Sequence, residues 1–76
     1  MMKKSVLIAG RHSTSISLED EFFVALEEIA NEKNISINAI ITEIDSSRTV
    51  ENLSSAVRIY ILKYYQEQLS SAKKSE

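Results

Sequence analysis

A chain of 76 residues makes one domain, and at this length folding removes only about 60 % of the unfolded surface, so an isolated copy is marginal. It has no cysteine, one glycine and no proline, which excludes a disulfide framework or a thiolate metal site and suits a mostly helical chain. A formal charge of −2 argues against bulk attraction to polyanions, so any nucleic-acid binding must come from local clustering.

Residues 1–10 read as an N-terminal arm, with Lys3 and Lys4 followed by the short apolar run Val6, Leu7, Ile8 and Ala9. That run is about four residues long, short of the roughly 7 to 15 of a secretory signal, and no segment approaches a membrane span. The expectation is a cytoplasmic protein with no membrane association. Gly10 is the one place where the arm can bend. It either lets residues 6–9 form a second short strand or marks a kinked extension of the strand that follows, and the kinked extension is preferred. Without a bulge, Val6 and Ile8 fall in phase with His12, Thr14, Ile16 and Leu18.

Arg11 to Leu18, R-H-S-T-S-I-S-L, sets Thr14, Ile16 and Leu18 against Ser13, Ser15 and Ser17. Alternation with period two is the mark of a strand buried on one face. Nothing later reads as a strand, and an unpaired strand leaves open N–H and C=O groups. A second copy of the same strand would satisfy them, giving a homodimer centred on an intermolecular two-stranded ribbon.

Ser17 and Asp20 have the spacing of a capping box, and Glu19, Asp20 and Glu21 lie where the helix dipole favours acids. Phe22, Ala25, Leu26, Ile29 and Ala30 then form one apolar face of a helix running to about Lys33, with Phe23 to the side and packed against a later helix. Asn34 and Ile35 connect to Ser36, the natural N-cap of a second helix whose Ile37, Ile40, Ile41 and Ile44 share one stripe. Residues 11–47 make up this core unit. Residues 48–70 hold a polar linker and a third helix capped by Asn52, and residues 71–76 form a polar tail expected to fray. The third helix is apolar almost all round from Leu53 to Tyr65, more than a small monomer can bury, and so points again to a dimer.

The order of short alternating strand, acid-started helix, polar connection and S-x-N opening a second helix resembles the ribbon-helix-helix superfamily of Arc and MetJ repressors. The segments G-R-H-S-T-S-I-S-L-E-D-E-F, N-A-I-I-T-E-I-D and N-L-S-S-A-V-R look like a more particular group of small bacterial members with an added third helix and an uncharacterised role. The resemblance implies a mainly α homodimer, β-α-α plus a C-terminal helix, that regulates transcription by laying its ribbon in a DNA major groove. On this chain the DNA-contacting positions would be Arg11, Ser13, Ser15 and Ser17 on the ribbon. Ser36, Ile37 and Asn38 would hold a phosphate at the start of helix two, with Lys33 nearby.

Two features depart from that pattern. Serine specifies little among bases, and three carboxylates follow the ribbon directly. The serines read equally as the solvated face of a strand, and Ser36 as an ordinary cap. The alternative function is a protein-interaction module, an antitoxin-like or adaptor dimer that meets a partner protein through helix three and its tyrosines. Such dimers could also pair further. His12, the single histidine, has no ligand or catalytic partner in the pattern, so no metal, cofactor or enzymatic role is expected.

Overall fold

The computed structural model describes residues 1–8 and 12–74, with the side chains of 12 and 72–74 left out of the description. Two strands, β1 (Met2–Ile8) and β2 (His12–Leu18), precede three helices, α1 (Asp20–Lys33), α2 (Ile37–Ser47) and α3 (Leu53–Lys74). β1 and β2 pair antiparallel, Val6 opposite Thr14, Lys4 opposite Ile16 and Met2 opposite Leu18. The strand expected to stand alone therefore has its partner within the chain. The preferred kinked extension is not formed: residues 2–8 run back antiparallel to β2 as a second strand, and cross-strand pairing sets Val6 and Ile8 on the core face with Ile16 and Leu18. Gly10, the proposed bend, lies outside the described residues.

Ile16 and Leu18 have no exposed surface, nor do Leu26 and Ile29 of α1, Ile40 and Ile41 of α2, or Val57 of α3. One core thus joins the inner face of the hairpin to all three helices. The isoleucine stripe of α2 is buried as its spacing predicts, with Ile37 at the margin. The two phenylalanines exchange their expected places. Phe23 is the core residue, 4 % exposed and covered by the Lys4 ammonium 5.2 Å from its ring centroid, whereas Phe22 is half-buried beneath Arg58. The two side chains stand about 100° apart on the helix, and the added strand β1 draws Phe23 inward.

The caps fix the helix boundaries. The Asn34 backbone is left-handed at φ 59°, which asparagine tolerates, and its amide and that of Ile35 close α1 onto Asn31 and Ala30. Ser36 Oγ accepts the Ala39 amide at 3.0 Å, and Asn52 Oδ1 accepts that of Ser55 at 2.9 Å. Ser17 does not cap α1: it lies in β2, Glu19 holds the cap position, and no side chain bonds there. Arg48 braces the α2–α3 linker, with its Nε 3.0 Å from Asp45 and its Nη1 donating to the carbonyls of Val50 and Glu51. α3 extends to Lys74, four residues past the end at residue 70 expected from the sequence.

Candidate nucleic-acid interface

Side chains alternate across the hairpin, so with Val6, Ile8, Ile16 and Leu18 turned inward the cross-strand pairs Lys3–Ser17, Ser5–Ser15 and Leu7–Ser13 make up the outer face. Ser5, Ser13 and Ser15 are exposed, Ser17 is half-buried, and no acidic residue stands on this face. The two lysines of the arm separate. Lys3 joins the serines, whereas Lys4 is on the core side over Phe23. The pairing of Lys3 with Ser17 appears only once the hairpin register is known. Arg11 lies outside the described residues, as does the His12 side chain.

The edges of the hairpin are flanked by helix starts. The Leu7 amide leaves the sheet to donate to Asn38 Oδ1 at 3.4 Å, which sets the N-terminus of α2 beside β1. There the amides of Ile37 and Asn38 precede the first intrahelical bond and point outward along the helix axis. On the other side the Ser17 amide donates to Ser54 Oγ at 3.1 Å, and the Ser17 carbonyl accepts from Arg58 Nη2 at 3.3 Å. Both outward backbone groups of Ser17 are thus taken by α3. Backbone groups of β2 alternate between the paired and the open edge, so the open edge is reduced to Ser13 and Ser15. Thr14 and Ser15 border a polar cleft of about 340 Å³ shared with Asp45 near the end of α2 and with Arg48, Glu51 and Asn52 of the linker.

Arg58 also neutralises the first acid after the ribbon. Its Nε sits 3.0 Å from Glu19 Oε1, and its guanidinium carbon 5.8 Å from the Phe22 ring centroid. The Glu19 carboxyl is held below its ordinary value of 4.5, first by its own backbone amide and then by Arg58. A lowered folded pKa stabilises the fold above the unfolded value and loses that contribution as the pH falls through the folded one. Acidification below about 4.5 should therefore narrow the gap in urea midpoint between the wild type and Glu19→Gln. A gap that stays constant down to pH 3 would show the carboxylate to be idle.

Lys33, expected near DNA, is turned to α3. Its ammonium donates to Tyr60 Oη at 2.8 Å and lies 3.7 Å from Glu43, and the Tyr60 bond raises its pKa. Beside it, desolvation and the neighbouring Glu32 and Glu28 raise the phenols of Tyr64 and Tyr65. The tyrosines of α3 are therefore joined to α1. No group of three or more His, Cys, Asp or Glu side chains able to hold a metal gathers among the described residues.

A hairpin whose polar face is bordered by a helix N-terminus, on a three-helix base, defines a small ribbon-bearing protein of β-β-α-α-α order. The chain matches the family described as ribbon-helix-helix domain over residues 1–65, and it belongs to that family. Members are generally DNA-binding transcription regulators or antitoxins, typically dimeric and not enzymes. No curated protein and no solved structure gives a significant match. No described helix is long and apolar enough to cross a membrane.

Proposed function

We propose that the protein is a cytoplasmic, homodimeric DNA-binding regulator of transcription. The observation that carries this reading is the outer face of the hairpin, small and polar with Lys3 and no acid, set beside the open amides of α2. Ser13, Ser15 and Ser17 meet base edges or sugar, Arg11 and Lys3 meet phosphate, and Ser36, Ile37 and Asn38 anchor the flanking backbone. Lys33, bound to Tyr60 and Glu43, serves the fold instead.

The ribbon itself is assigned differently from a strand shared between copies. A major groove is about 12 Å wide and admits two strands. Were β2 to pair with β2 of a second copy while each kept its β1, the resulting four strands would span about 14 Å between outer backbones. We therefore assign the groove-entering ribbon to the β1–β2 hairpin of each chain. Serine discriminates weakly among bases, so affinity should rest largely on phosphate contacts and be strongly salt-dependent.

The test is the salt dependence of duplex binding, followed by fluorescence anisotropy between about 50 and 200 mM salt. Arg11→Ala should reduce the steepness of the log–log slope by about two per dimer, at about 0.9 for each neutralised phosphate. An unchanged slope would remove Arg11 from the interface.

A second reading, an antitoxin-like or adaptor dimer without sequence-specific DNA binding, draws support from the net charge of −2 and from the apolar surface left bare on α3. It predicts no retention of DNA even at low salt.

A further inference from the structure

α1 and α3 wall a groove of about 410 Å³, with Phe22 and Ala25 on one side and Ile61, Leu62 and Tyr65 on the other. Its volume falls within the roughly 300 to 1,000 Å³ of small-molecule sites, whose usual make-up is an apolar wall with a few polar groups. Two charged side chains reach this one, Glu21 and Arg58. They are not equivalent. The Arg58 guanidinium is already held by Glu19, by the Ser17 carbonyl and over the Phe22 ring. Glu21 is exposed and has no hydrogen-bond or ion-pair partner among the described residues. A further carboxylate, Glu28, accepts the Tyr65 hydroxyl at 3.1 Å. The carboxylates of Glu19, Glu21 and Glu28 thus stand on or beside the groove against one guanidinium, which leaves negative potential over an apolar surface.

We propose that this groove is a binding site for a lipophilic organic cation, a molecule with an aromatic or branched alkyl body and a delocalised or shielded positive charge. The apolar body covers Ala25, Ile61 and Leu62, and the charge faces Glu21, with the Tyr65 ring adding its own attraction for a cation. An anion of the same shape is disfavoured, because it meets Glu21 and finds the Arg58 charge already matched by Glu19. A compact ammonium is disfavoured as well: it loses more hydration than an apolar wall returns.

The site goes beyond the regulator reading and does not rest on it. Its ligand is measured without DNA, so either can fail alone. Tetraphenylphosphonium and tetraphenylborate share size and shape and differ in the sign of their charge, which makes them the probes of choice. In isothermal titration calorimetry the full chain should bind the phosphonium saturably and the borate at least about tenfold more weakly. Glu21→Gln should weaken the phosphonium about fivefold, because an ion contact against an apolar wall is worth more than one in open water.

Glu67→Gln is the matched control. It removes the same charge from a part of α3 that lines a separate hollow with Gln66 and Ser70, and it should leave phosphonium affinity unchanged. Leu62→Ser should weaken binding of the phosphonium without altering helical circular dichroism, because Leu62 is exposed and takes no part in the core. Equal binding of the two ions would overturn the proposal by showing only non-specific apolar association. Equal loss in Glu21→Gln and Glu67→Gln would overturn it by showing only attraction to net charge. No saturable binding at millimolar phosphonium would overturn it too, and a lower sedimenting mass for Leu62→Ser would then assign the groove to protein contact.

Discussion

Replacing Ile16 by alanine is expected to cost about 3 kcal/mol of folding stability, within the range of roughly 2 to 5 kcal/mol for large buried aliphatic residues. Ile16 has no exposed surface and sits on the inner face of the hairpin, in the same core cluster as Leu26, Ile40 and Val57. α1 and α3 pack against β2, and close packing limits how far they can collapse into the cavity that truncating Ile16 would open. A chain of this length has about 4 to 11 kcal/mol of stability in total, so the loss would leave a large unfolded fraction at 37 °C. Urea denaturation followed by circular dichroism measures it. A cost below about 1 kcal/mol would mean that the hairpin is only loosely seated on the helices.

The second large effect belongs to the outer face of the same hairpin. Ser15→Glu should weaken duplex DNA binding by about tenfold or more at 100 mM salt, because it sets a carboxylate, once per subunit, in the middle of the face proposed to lie against the polyanion. Ser15 is exposed and pairs across the strands with Ser5, so folding should change by no more than about 0.5 kcal/mol. Ser15→Arg should act in the opposite sense and tighten binding. Anisotropy titrations of both variants, beside their urea midpoints, separate an effect on the interface from an effect on the fold. Unaltered affinity in the glutamate variant would remove the serine face from DNA contact.

The helical part of the molecule was legible because its signals are local. The spacing of Ile40, Ile41 and Ile44 marked the buried stripe of α2, and Ser36 and Asn52 marked helix starts where their side chains now accept amides. The alternation from Thr14 to Leu18 likewise marked one face for the core. What escaped the sequence depends on pairing between distant segments. Lys3, Lys4 and Ser5 interrupt the apolar pattern of residues 2–8, so that stretch reads as an arm until Val6 is seen opposite Thr14. Ser17 has the spacing of a helix cap, yet Ser54 and Arg58, 37 and 41 residues further on, hold it in the strand instead.

The candidate site divides in the same way. The serines and the α2 N-terminus were visible as a motif, and the structure sets them along one sheet and its edge. The place of Lys3 among the serines and the engagement of Lys33 with Tyr60 and Glu43 were not visible, because each is decided by a partner residue at long range. The same holds for the pairing of Arg58 with Glu19, 39 residues away, which lightens the acidic charge behind the ribbon.

The most direct test of a DNA-binding regulator is to pass fragmented DNA from the source genome over the purified protein at about 50 and 200 mM salt and to sequence what is retained. The account predicts selective, salt-sensitive retention of sites with two related half-sites, matching a dimer that offers one hairpin per chain. Absence of retention at the lower salt would contradict it and assign the protein to partner binding without DNA.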